Sequence, residues 1–130
     1  MAYNILVLAA RKPGVSHATF KTRYENHMSM VTKLAGSAGP LSHTRWYIQH
    51  DDNDKPAFLA GEAEGICYDA VVLMTFRDEA ASRGFFGVLA GDEAKGLIEA
   101  DEEGFWDREK MKVMVVGDVG QSVADVGVGS

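Results

Sequence analysis

The chain has 130 residues, of which 46% are apolar and 25% charged, the balance of an ordinary globule with material for one core and not two. A net charge of −6 without a basic cluster argues against nucleic acid or an anionic membrane surface as partner, since both would repel it. The single cysteine, Cys67, leaves no internal disulfide and fits a reducing, cytoplasmic setting; Glu64 and Asp69 beside it disfavour a nucleophilic thiolate.

No run approaches the roughly 18 apolar residues of a membrane span, and the opening MAYNILVLAARKPG has no charged stretch ahead of its apolar one. It reads instead as a first strand, Tyr3 to Ala10, apolar on both parities and therefore covered on both faces. Arg11 to Gly14 is a turn. Ser16 then caps a helix that carries Phe20, Tyr24, His27, Met28, Val31, Leu34 and Ala35 on one stripe and stops at Gly36. His27 thus falls inside the buried stripe. An imidazole there is either hydrogen-bonded within the core or lines a cavity, because an unpaired buried polar group costs about 1 to 3 kcal/mol.

After the loop at 37–41, Ser42 to His50 alternates as a second strand, with His43, Arg45, Tyr47 and Gln49 on one face and Thr44, Trp46, Ile48 and His50 on the other. Residues 51–65 form a long acidic connection, read as a cover or a plain surface loop. Tyr68 to Phe76 is the most apolar strand and hence central. Asp78 caps a second helical region loosened by Gly84, Gly87 and Gly91, and Asp92 restarts it to about Ala100. The acidic segment DEEGFWD, 101–107, precedes a last strand at 110–116, and a glycine-rich tail follows, giving a domain over 1–118 and a loose tail over 119–130.

The order β, α, β, β, α, β is that of an α+β ferredoxin-like domain, a four-stranded antiparallel sheet with helices on one face. Strands apolar on both parities leave the other face in need of cover, and a two-fold copy of the chain supplies it most economically, which predicts a homodimer. The histidines His17, His27, His43 and His50 are scattered, with no HExxH or CxxC spacing, so neither a metal nor a cofactor is expected.

RKPG at 11–14, FKTRYENHMSMV at 20–31 and DEEGFWD at 101–107 together resemble the EthD family of dimeric α/β-barrel proteins, and most of all its fungal members associated with aromatic polyketide pathways. Met28, Ser29 and Met30 stand where the family commonly continues with a proline. The resemblance, over roughly residues 3–118, implies a pocket between sheet and helices with His27 pointing into it. It also implies a small hydrophobic polyketide as substrate and dehydration, decarboxylation or ring closure as the reaction, making the protein a cofactor-independent lyase or cyclase.

Such steps move a proton beside a carbonyl, which suits a histidine as base and then acid. His27 is the candidate, Asp101 (or its neighbours Glu102 and Glu103) its carboxylate partner, and Tyr24 a donor to an enolate oxygen. Trp46, Tyr47, Phe85, Phe86 and Trp106 are the aromatics available to stack on a flat ligand, two or three of them being expected at the cavity. Of His43 and His50 at most one faces the same cavity as His27, and His50, with Trp46, is preferred. Two other readings use the same pocket: a non-catalytic carrier of a hydrophobic intermediate, and a heme-dependent relative with His27 as axial ligand.

Overall fold

The computed structural model describes residues 2–125. Its elements in chain order are β1 (Tyr3–Ala9), α1 (His17–Ala35), β2 (Ser42–Tyr47), β3 (Ala70–Phe76), α2 (Glu79–Leu89), α3 (Asp92–Glu102) and β4 (Lys112–Val116). The strands form one antiparallel sheet in the order β2-β3-β1-β4, so the two most apolar strands are central, as their patterns require. This is the α+β ferredoxin-like fold.

Local chemistry sets the boundaries of α1. Lys12 to Val15 is a β-turn closed by a 3.1 Å bond from the Val15 amide to the Lys12 carbonyl, with Pro13 fixing its first corner and Gly14, at φ 86°, its second. The Ser16 hydroxyl then accepts the Thr19 amide at 3.1 Å, and Gly36 ends the helix at φ 55°. Asp78 caps α2 in the same way, accepting from the Ala81 amide at 2.8 Å. Asp92 does not cap α3; Gly91 holds that position with no side-chain bond, and the helix runs on to Glu102, two residues past the expected stop.

The register divides the sheet into two faces. Ile5, Val7 and Ala9 of β1 lie opposite Met74, Val72 and Ala70 of β3, all buried beneath the helices with Phe20, Tyr24, Phe85 and Phe105. The alternate residues make the open face: Leu6 and Leu8 beside Leu73 and Val71, then Trp46 of β2 and Met114 of β4. Among the described residues no helix covers this face, and Trp46 and Met114 are exposed on it.

One strand ends short of its expected bound. β2 ends at Tyr47, before His50, which makes only an isolated bridge to Pro56. Residues 117–125 carry no helix or strand and are exposed, and the remainder of the expected tail, 126–130, lies outside the described residues.

Candidate functional site

Between the helix side of the sheet and α1, α2 and α3 lies a cavity of about 360 Å3. Its floor is Val7, Val72, Met74 and His43; Tyr24, His27, Met28 and Val31 of α1 form one wall, and Phe85, Phe86 and Leu89 of α2 another. Ile98, Glu99 and Glu102 of α3 complete it with Trp106, Arg108 and Met111. The size is at the lower end of the roughly 300 to 1,000 Å3 usual for small-molecule sites, and the lining is mainly apolar with a few convergent polar groups.

His27 reaches this space because α1 places it one turn beyond Tyr24 on the buried stripe, and it is only 1% exposed. Its Nδ1–H donates to Asp101 Oδ2 at 2.7 Å. Its Nε2 lies 3.2 Å from Glu102 Oε2 without the alignment of a hydrogen bond, and has no hydrogen-bond partner. Two adjacent carboxylates at the end of α3 therefore bracket one imidazole. Asp101 is partly exposed and has Arg23 at 3.9 Å, whereas Glu102 is buried and paired with Arg108. Glu103 is exposed and does not line the cavity, and its backbone carbonyl accepts from Lys12 Nζ at 2.6 Å.

The segment after α3 seals this corner. The Lys12 amide donates to Phe105 and the Asp107 amide to Ala10, both at 2.9 Å, so residues 105–107 dock along the end of β1. Phe105 and Trp106 are thereby buried against His27, with ring centroids 5.5 and 5.9 Å from it. Trp106 Nε1 is buried without a hydrogen-bond partner. Both unpaired buried side-chain polar atoms found among the described residues thus belong to residues lining the one cavity. Burial also pushes the Tyr24 phenol well up, which keeps it protonated as a donor.

The expected site residues divide between two places. His27, Asp101, Tyr24, Phe85, Phe86 and Trp106 gather at or behind the cavity; Trp46, Tyr47 and His50 do not line it. Trp46 lies on the open face, because its partner Val71 has the parity opposite to the buried Val72. Tyr47 is on the helix side but its hydroxyl donates to Glu25, which Arg45 also holds through Nε at 2.6 Å. That guanidinium, aided by Tyr47, lowers the Glu25 carboxyl to about 2.

His50 lies past the end of β2, where its ring stacks on His17 at 3.7 Å. His43 takes the place expected of His50: its partner in the register is buried Met74, so it faces the helices and lines the cavity. Burial lowers its pKa to about 4, which leaves the ring neutral at physiological pH. Arg108 is the lining residue that the sequence does not single out, and Glu102, an alternative to Asp101 there, takes its place beside the ring because α3 continues past Ala100. The 51–65 connection supplies no lining residue, so it is not a cover for this cavity.

The profile of the EthD domain matches residues 12–109. No protein with a curated description matches the sequence. Among solved structures, the chain superposes on a protein of Arabidopsis thaliana with a TM-score of 0.57 at 16% identity, covering 93% of this chain and 99% of that one. It superposes on SnoaB, a cofactor-independent oxygenase from Streptomyces nogalater, with a TM-score of 0.55 at 11% identity, over 92% and 95% of the two chains. A dimeric ferredoxin-like protein of unknown function from a Jannaschia species gives 0.55 at 14% identity, over 91% and 100%.

Proposed function

The chain belongs to the EthD domain family, and on that premise we propose that it is a cofactor-independent lyase or cyclase acting on a small aromatic polyketide, with His27 as the proton carrier. The observation that supports this reading best is the pairing of His27 Nε2 and Trp106 Nε1, both buried and unpartnered beside the same apolar cavity. Each such atom costs about 1 to 3 kcal/mol until a guest satisfies it.

In the proposed reaction a flat substrate lies against Phe85 and Phe86, and its carbonyl oxygen accepts from the Trp106 indole or the Tyr24 phenol. His27 Nε2 removes the proton from the adjacent carbon, and the released electron pair forms an enolate held by those donors. The enolate then expels a hydroxyl from the next carbon as the imidazolium returns the proton to it, so a double bond forms and water leaves. Asp101 steadies the Nδ1–H through both steps, and the two carboxylates favour the transient positive charge on the ring. Ring closure would begin from the same enolate.

The working form is proposed to be a homodimer, the open sheet face of one copy covering that of the other. Support comes from Leu6, Leu8, Val71 and Leu73, which form an apolar sheet surface no helix covers, and from the dimeric relative of the same fold.

The test is turnover of the aromatic product of a partner polyketide synthase by the full chain. His27→Gln, shown to be folded by circular dichroism, is expected to lose a factor of about 10² to 10⁴ in kcat. Parental turnover by that variant would leave a carrier of hydrophobic intermediates as the better description.

A further inference from the structure

A second histidine cluster lies at the far end of α1, ten residues and so about 15 Å along the helix from His27. His17 is the first residue of α1, His50 follows β2, and Asp69 immediately precedes β3. Their donor atoms all lie within 4.8 Å of one another. His17 Nδ1 is 2.7 Å and His50 Nε2 3.2 Å from the same oxygen, Asp69 Oδ1. The Asp69 side chain is 1% exposed, that of His50 5% and that of His17 15%, so only one edge of the cluster meets solvent.

Hydrogen bonding fixes the state of His50. Its Nδ1 is 2.7 Å from the Ile48 carbonyl oxygen, which can only accept, so Nδ1 carries a hydrogen. In the neutral ring Nε2 therefore carries a lone pair, 3.2 Å from Asp69 Oδ1. Two lone pairs at that separation repel unless something electropositive joins them. The rings are stacked at 3.7 Å and 16°, so His17 Nδ1 and His50 Nε2 reach the same oxygen from adjacent planes. One shared cation satisfies both nitrogens and the oxygen at once.

From this geometry we infer that His17, His50 and Asp69 form a three-donor site for a divalent transition-metal ion of the zinc class. Two imidazole nitrogens and a carboxylate oxygen are the donor set that such ions take, with water at the remaining position. The surroundings agree. The Nδ1–H bond from His50 to a backbone carbonyl is the arrangement that aims the other nitrogen of a metal-bound histidine. The Arg11 amide holds the second Asp69 oxygen at 2.9 Å, leaving Oδ1 for the ion.

The Arg11 guanidinium, 3.5 Å from Oδ1, is the one unfavourable neighbour, and Asp54 pairs with it at 2.9 Å. Asp54, Asp69 and Arg11 together sum to one negative charge, which an added cation offsets. The ion would clamp the start of α1 to the ends of β2 and β3.

The test uses untagged full-length protein stripped with a chelator, then titrated separately with Zn2+ and Co2+ at pH 7.5. One equivalent is expected to bind, with a visible cobalt band showing nitrogen ligation and a rise in melting temperature with free metal. His17→Gln and His50→Gln, each confirmed as folded, should weaken binding by about 100-fold or more. His27→Gln should bind as the parent does, which separates this site from the cavity. No cobalt band and no change in melting temperature for the parent would overturn the inference, as would undiminished binding by the His17 and His50 variants.

Discussion

The imidazole of His27 and the carboxylate of Asp101 meet at 2.7 Å across 74 residues of sequence, one from the middle of α1 and the other from the last turn of α3. The contact leaves the other ring nitrogen 3.2 Å from Glu102 Oε2, so the two carboxylates at the end of α3 bracket the ring.

Asp101→Asn should therefore slow turnover without emptying the pocket. An amide in that place can donate to Nδ1 and so move the ring hydrogen to Nε2, the wrong tautomer for a base. A fall in kcat on the order of 10²-fold is expected with KM little changed, measured by steady-state kinetics against the parent.

Trp106→Phe separates stability from binding. The substitution removes an indole N–H that has no partner, so part of the packing lost is offset by relief of a buried donor worth about 1 to 3 kcal/mol. Thermal melting should shift by only a few degrees, on the order expected for about 1 kcal/mol. KM should rise about tenfold, as expected on losing one hydrogen bond of about 1.4 kcal/mol to the substrate.

His43 ties stability to pH. Its folded pKa, near 4 because of burial, is below its ordinary 6.5, so between these values the unfolded chain binds more protons. Its stabilising contribution is full above about pH 6.5 and is lost as pH falls toward 4. His43→Gln should flatten the urea-unfolding free energy over that window, removing roughly 1 to 2 kcal/mol of its pH dependence after allowance for solvent screening.

The open sheet face can be tested by charge. Leu73 lies beside Leu6 at its centre, and Leu73→Lys would bury an ammonium in a two-fold contact. The parent should sediment as a dimer at about 10 µM and the variant as a monomer at the same concentration. That concentration exceeds the dissociation constant of most stable interfaces by about an order of magnitude or more. A monomeric parent would dispose of the proposed dimer.

Much of this arrangement can be read from the residues in order. The Ser16 cap, the stripe through Phe20, Tyr24 and His27 and the two central strands follow from periodicity, which reports which residues share a face. Periodicity does not report which face meets the helices. That is why His43 and His50 could be placed on opposite sides of β2 but were assigned the wrong way round, and why Trp46 was put at a cavity it does not touch. Glu102 was left among three acidic neighbours because its role depends on where α3 stops. His17, His50 and Asp69 sit at the ends of three separate elements, and only the strand order brings them together.

Phe85 and Phe86 stand on a helix that also contains Gly84 and Gly87, and a methyl group added at either glycine would touch nothing within 4 Å. Alanine at both positions would add roughly 1 to 2 kcal/mol to the helical preference of that wall while leaving the chamber's dimensions as they are. Stiffness and shape are therefore separable here. A guest admitted only by the yielding of this wall would enter the alanine protein more slowly, whereas one that fits the resting space would not notice the change.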